Sequence, residues 1–393
     1  MRTSYYPHLA RQIQQQCTNL LYRYLLPDDY SKHCNAFWVL SCLVLIGVGR
    51  LSLSAVRSLR GGCSRETLRQ ALLAMLPDYQ ESLRRVRGLL RASLPRGLQK
   101  RGKGPRRRYP LAVDLHCVPY YKRRRQPPEH VRKGRPLPGT CYSHQYASAA
   151  LLHKGRYYTV ALTVFFPDED MASVLKRLLQ QAAANGFPPR YVLMDRSFWS
   201  TDVFLYLQRA RYPFLVPVQP GGKKPTATGG PTGTRAFLYG CKSGWYTYRV
   251  ASRRQRKRTA KVRIGVQCHN YAGRRGRHGR YTWAYAVWRV PVAHAAWLHQ
   301  CHRRRFRIES SYRLIEAARA RTSSRNENLR LWYFIVATVL LNRWLEVRRL
   351  NSRRGAVLKY WWNRLLAVLL FMLLYESYAD FHQNQSIDPP LRE

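Results

Sequence analysis

The chain has 393 residues, enough for two or three domains with a sizeable core, and its 46% apolar content excludes wholesale disorder. It carries 69 Lys and Arg against 20 Asp and Glu, a formal net charge of +49. Self-repulsion on that scale points to an anionic partner, nucleic acid first and an anionic membrane surface second. The excess of Arg over Lys suits bidentate phosphate contacts.

Nine scattered cysteines, odd in number and without a Cys-x-x-Cys pair, argue against a disulfide scaffold and for a reducing, cytoplasmic compartment. The start, Met1 to Pro7, lacks the apolar region of a signal peptide. Three uncharged stretches test a membrane reading: Cys34 to Gly49, Leu331 to Leu341 and Leu365 to Tyr375. A spanning helix needs about 20 apolar residues, so the two shorter runs fail on length, and Asn35, Ser41 and two glycines dilute the first. All three are expected to be buried core helices, with no membrane partner.

In chain order, residues 1–83 read as a helical domain. Ser52 to Arg60 forms a short helix, Gly61-Gly62 breaks it, and Ser64 caps a second helix carrying Leu68, Ala71, Leu72 and Met75. Helix, glycine turn and helix, with Arg65 and Arg69 exposed, suits either a DNA-binding helix-turn-helix or plain packing. Residues 84–108, dense in Arg and Lys and ending in Arg106-Arg107-Arg108, are expected to be a flexible basic linker lying on phosphates.

From Tyr109 the period changes to 2. Leu111, Val113 and Leu115 mark a strand, and Gln145 to Leu152 and Tyr157 to Phe166 mark two more, joined by a short turn. Asp168-Glu169-Asp170 opens a helix that runs to a Gly186 stop, Tyr191 to Met194 is a short buried strand, and a helix from Thr201 precedes the strand Phe214 to Val218. Three strands followed by alternating helix and strand make residues 109–219 an α/β core with a mixed sheet flanked by helices. Residues 220–292 read as a β-rich insertion whose basic loops would hold DNA, residues 293–345 as core helices, and residues 346–393 as a last helix and tail.

Acids are scarce, so each one inside a core element is informative. Asp114 sits mid-strand, Asp195 at the end of a buried strand, and Glu309 on a helix expected over Arg303 to Arg319, sharing a face with Arg305, Tyr312 and Arg313. Two Asp and one Glu form a ligand set for two Mg²⁺ ions, which favour hard oxygen donors and would relieve the repulsion between clustered carboxylates. The alternative is that each acid pairs with an arginine. A zinc site from His116, Cys117, Cys141 and His144 is disfavoured, because adjacent strand residues point to opposite faces.

The segments Ala112-Val113-Asp114-Leu115-His116, Leu193-Met194-Asp195-Arg196-Ser197-Phe198 and Arg305-Phe306-Arg307-Ile308-Glu309 resemble the DDE transposases of prokaryotic insertion sequences. One branch of that family has a ribonuclease H-like core, a β-rich insertion between the second Asp and the Glu, and a Tyr-x2-Arg-x3-Glu-x6-Lys signature. Arg305 and Glu309 match the signature; His302 stands at its Tyr position and Glu316 at its Lys position. The resemblance implies catalytic, metal-binding Asp114, Asp195 and Glu309, two Mg²⁺ ions with Mn²⁺ as substitute, and a homodimer on double-stranded DNA. That DNA would comprise terminal inverted repeats and target, in the nucleoid. It implies cut-and-paste chemistry, with His302 near the DNA and Arg313 or Arg319 supplying the missing positive charge. The residues themselves suit Arg305, a planar bidentate donor, to steadying the scissile phosphate, and Phe198 and Trp199 either to stacking on an unpaired base or to packing as core aromatics at a helix start. A DNA-binding protein that has lost the chemistry and a host nuclease on the same core are the rival readings.

Overall fold

A computed structural model describes residues 5–32, 34–60, 63–99, 107–121, 130–252, 257–273, 278–351, 362–363 and 365–372. The chain forms two compact units, one from residues 1–101 and 311–393, the other from 102–310.

The first unit is helical: α1 (Tyr5–Leu25), α2 (Ala36–Gly49), α3 (Leu53–Arg60), α4 (Arg65–Met75), α5 (Tyr79–Ala92) and α6 (Arg96–Gln99), joined late in the chain by α12 (Glu327–Asn351). Asn35 caps α2 by accepting from the Trp38 N–H, and eleven of its fourteen residues are buried, so the first uncharged run is core. The run Leu331 to Leu341 is likewise buried, within α12. Among the described residues no helix is long and apolar enough to cross a membrane. Ser64 caps α4 as expected, accepting from the Thr67 N–H at 3.0 Å. Gly61 and Gly62 lie outside the described residues.

The basic segment from residue 84 is not a linker in its first part. Residues 84–92 continue α5, which Asp78 caps and which buries Val86, Leu89 and Leu90. That i, i+3, i+4 spacing gives an apolar stripe despite the arginines between. Buried polar contacts fix the stripe against α12: Trp332 Nε1 donates to Ser82 Oγ at 2.9 Å and Asn342 Nδ2 to Ser93 Oγ at 2.8 Å.

The second unit is mixed α/β. Its strands are β1 (Tyr109–Pro119), β2 (Arg132–Leu137), β3 (Thr140–His153), β4 (Arg156–Val164), β5 (Pro189–Met194), β6 (Phe214–Pro217), β7 (Gly244–Ala251), β8 (Thr259–Ala272) and β9 (His278–Trp288). Among the described residues these nine form one open mixed sheet in the order β2-β3-β1-β5-β6-β9-β8-β7, with β4 also paired to β3. β1 is antiparallel to β3 and parallel to β5, and β5 is parallel to β6. The parallel connections run through α7 (Met171–Ala184), which Asp170 caps, and α8 (Thr201–Arg209), which Ser200 caps.

Residues 220–292 hold the short helix α9 (Ala236–Tyr239) and are otherwise rich in strands, but they do not stand apart from the core. β9 pairs antiparallel with β6, Leu215 opposite Val287, and β8 and β7 follow outward. Period-2 alternation gives the sheet two apolar faces. On one, Leu298 of α10 (Ala296–Arg303) packs on Tyr191, Leu193, Leu215, Tyr285 and Val287. On the other, Phe214 stacks on Phe204 of α8 at 5.1 Å.

The helix carrying Glu309 is shorter than expected. It is α11 (Phe306–Ala317), and α10 ends at Arg303, leaving Arg304 and Arg305 in a turn between the two.

Candidate active site

Asp114 and Asp195 come together because β1 and β5 are parallel neighbours. The last paired residues are Val113 and Met194. The next residue in each case is the aspartate, so both lie level with the C-terminal end of β5 on neighbouring central strands, where α/β folds present ligand-binding side chains. Asp114 is buried, and its Oδ1 accepts from the Leu115 N–H at 2.9 Å. Asp195 is half-buried and caps the 3-10 turn Arg196–Phe198, accepting from the Arg196 N–H.

The third acid arrives with α11. His302, at the end of α10, places its Nε2 at 3.1 Å from the Met194 carbonyl, one residue before Asp195. Burial, with help from the nearby Arg305 charge, pushes the His302 imidazole down to about 4. The Met194 carbonyl can only accept, so the ring carries a proton on Nε2. The contact ties the turn between the helices to the end of β5. Arg305 follows, 3% exposed, and its guanidinium bridges two of the acids. Nη1 donates to Asp114 Oδ2 at 2.8 Å and Nη2 to Glu309 Oε1 at 2.5 Å. Its Nε is buried without an acceptor among the described residues.

The electrostatics register the convergence. Burial pushes the Asp114 carboxyl up to about 6; Arg305 and the Leu115 N–H pull it back, and the charges of Asp195 and Glu309 raise it further. Asp114 therefore feels both other acids, and a single guanidinium does not neutralise all three. The donors are carboxylate oxygens throughout, the set a hard divalent cation takes. Yet among the described residues no group of three His, Cys, Asp or Glu is arranged to hold a metal ion. The residues fit Mg²⁺ in donor chemistry, and Arg305 occupies the space between Asp114 and Glu309. A cation shared by these two would require Arg305 to release one of them.

Several expected roles do not survive these positions. Arg305 does not face outward toward a phosphate; its Nη groups are given to carboxylates. His302 is buried and structural, and so is Phe198, fully buried and therefore not placed to stack on a base. Trp199 is half-buried, edge-on to Phe204 at 5.2 Å. Arg313 is exposed on α11, whereas Arg319 pairs with Glu316 at 2.9 Å. Arg65 is exposed, and Arg69 pairs with Glu66 at 2.5 Å on the same helix. Arg107 and Arg108 are exposed ahead of β1, and Arg106 lies outside the described residues. The link from His302 to Met194 had no signal in the sequence, because it depends on which strand end α10 meets.

Compared with known proteins, the chain matches no family model and no curated protein.

Proposed function

We propose that the chain is a DNA transposase of the DDE type on a ribonuclease H-like core, acting as a homodimer on double-stranded DNA. The observation that carries this reading is the meeting of Asp114, Asp195 and Glu309, far apart in the chain, at the end of the central strand β5 of a mixed sheet. Antiparallel strands β1 to β4 leading into the parallel β5 and β6, with one acid on β1 and another just past the end of β5, support the same core.

The proposed reaction hydrolyses the phosphodiester at the end of an element, freeing a 3′-OH that then attacks a phosphodiester of target DNA. Each step forms one P–O bond and breaks another. Asp114, Asp195 and Glu309 would hold the Mg²⁺ ions, which when bound activate the attacking oxygen and stabilise the leaving one. Arg305 acts as a positioning residue: its planar fork gathers Asp114 and Glu309, and it would release one of them to an ion that the two share. The surrounding excess of positive charge draws the polyanion in.

One observation favours a second reading. The guanidinium of Arg305 already joins Asp114 and Glu309, as it would in a DNA-binding protein that has lost the chemistry. Incubation with Mg²⁺ and a supercoiled plasmid carrying the DNA that flanks this chain's own reading frame separates the two. We expect cleavage with 3′-OH ends, abolished by Asp114→Asn, Asp195→Asn or Glu309→Gln without loss of DNA binding in EDTA. Wild type that binds but never cuts, with Mg²⁺ or Mn²⁺, would establish the second reading. Variants that cut like wild type would refute the catalytic assignment.

A further inference from the structure

The sheet face that carries Asp114 also carries, toward the opposite end of strands β1 and β5, a concave basic pocket of about 630 Å³. Lys154, Arg156, Arg303 and Arg304 line it together with Tyr157 and Tyr191, and no Asp or Glu is among its lining residues. The tyrosines are 8% and 6% exposed, so they form its floor, while Lys154, Arg303 and Arg304 reach solvent. Four cations around one concavity repel one another unless an anion fills it.

The hairpin between β3 and β4 forms part of its rim, turning at Lys154 and Gly155 with φ of 47° and 75°. Both central residues of such a turn are left-handed, so Asn-Gly is the favoured pair. A lysine in that conformation is uncommon, and it places an exposed cation at the rim of the pocket.

The pocket's place in the fold says which anion. Pro110 lines it, and Pro110 and Asp114 lie on one face of β1, four residues and therefore roughly 13 Å apart. Arg303 ends α10, and Arg304 opens the turn that delivers Arg305 to the acids. We infer that this pocket grips the phosphate backbone of one DNA strand a few nucleotides from the bond presented to Asp114, Asp195 and Glu309. The partner rests on the nucleic-acid reading above; the pocket itself does not require cleavage.

Lysine acylation read by mass spectrometry tests this on the full chain, with a short mixed-sequence oligonucleotide, single-stranded or duplex, as probe. DNA binding is followed in the same samples by fluorescence anisotropy. We expect bound oligonucleotide to protect Lys154 several-fold, in wild type and in Asp114→Asn alike, while exposed Lys176 on α7 keeps its reactivity. Lys154 left fully reactive with DNA bound overturns the pocket alone. Protection by inorganic triphosphate but not by DNA overturns it in favour of a free polyphosphate. Absence of DNA binding overturns the nucleic-acid reading and the pocket with it. Loss of cleavage activity with protection intact overturns only the catalytic proposal.

A charge series gives the second measurement. Lys154→Asn, Arg156→Gln and Arg303→Gln combined should flatten the slope of log affinity against log salt by about 2 to 3, since each lost phosphate contact removes about 0.7 to 0.9. Lys176→Gln, Arg190→Gln and Arg209→Gln, three exposed cations outside the pocket, should change it by less than half as much. Equal effects of the two sets would mean that only overall charge matters and would sink the assignment. Asn suits the left-handed turn position better than Lys, so the first variant keeps the hairpin.

Discussion

At Arg305 a single side chain decides how three carboxylates share a small volume. Its pair with Asp114 is buried, while Glu309 is 41% exposed at its side chain, so the first contact matters more for stability. Arg305→Gln should destabilise the second unit by roughly 3 kcal/mol in urea unfolding, chiefly by leaving the Asp114 carboxylate buried without its cation. Asp114→Asn combined with Arg305→Gln should recover a large part of that loss, because no buried charge then remains unpaired. His302 sets a pH dependence of its own. Its pKa falls from the ordinary 6.5 to about 4 in the fold, so between those values the unfolded chain takes a proton that the folded chain refuses. This contribution is therefore intact above pH 6.5 and lost as pH falls through about 4, by roughly 3 kcal/mol at most. Asp114 works in the opposite sense: its carboxyl is raised from 3.8 to about 6, so protonation there favours the fold as pH drops from 6 toward 4. His302→Gln keeps an N–H for the Met194 carbonyl and removes only the first contribution. Its melting temperature should exceed that of wild type at pH 4.5, with a much smaller difference at pH 7.5.

Among the elements, α10 has the most to position and the least room to move. Gly265, in the middle of β8, lies beneath it. A Cβ at that site would come within 2.1 Å of Leu298 Cδ1 and 3.0 Å of the Trp245 ring. Gly265→Ala should therefore cost about 1 to 3 kcal/mol by denaturant unfolding, through overpacking that lifts α10 from the sheet. Elements with a clean period were readable in advance: β1 from Leu111, Val113 and Leu115, α4 from its Ser64 cap, α7 from its acidic start. Others gave no such signal. Arg132 to Leu137 form β2 without alternating polarity, because they add to the end of β3 as a ribbon. The break at Arg304 and Arg305 carries no Gly or Pro, so the helical pattern ran on through it. In α5 the arginines dominated the composition and hid the stripe of Val86, Leu89 and Leu90. The three acids stood out because charge inside an apolar strand is costly, but the guanidinium between two of them depends on side-chain geometry that spacing does not encode.

For the whole molecule, charge governs encounter with its partner. A chain of net charge +49 should bind mixed-sequence DNA with a steep salt dependence. If six to ten phosphates are contacted, affinity should fall by about a thousandfold or more between 50 and 200 mM salt, as measured by anisotropy titration. A shallow slope would show that most of the arginines serve packing and internal pairing instead. The sheet extends this reasoning to how the protein can be cut or trimmed. β6 has only four residues, three of them fully buried, and β9 occupies its outer edge. Excising residues 220–292 to obtain a minimal catalytic fragment would uncover a row of unsatisfied backbone groups beside Phe214, Leu215 and Val216. Such a fragment would polymerise through that bare margin, so the late strands serve as a seam that keeps neighbouring copies from joining edge to edge.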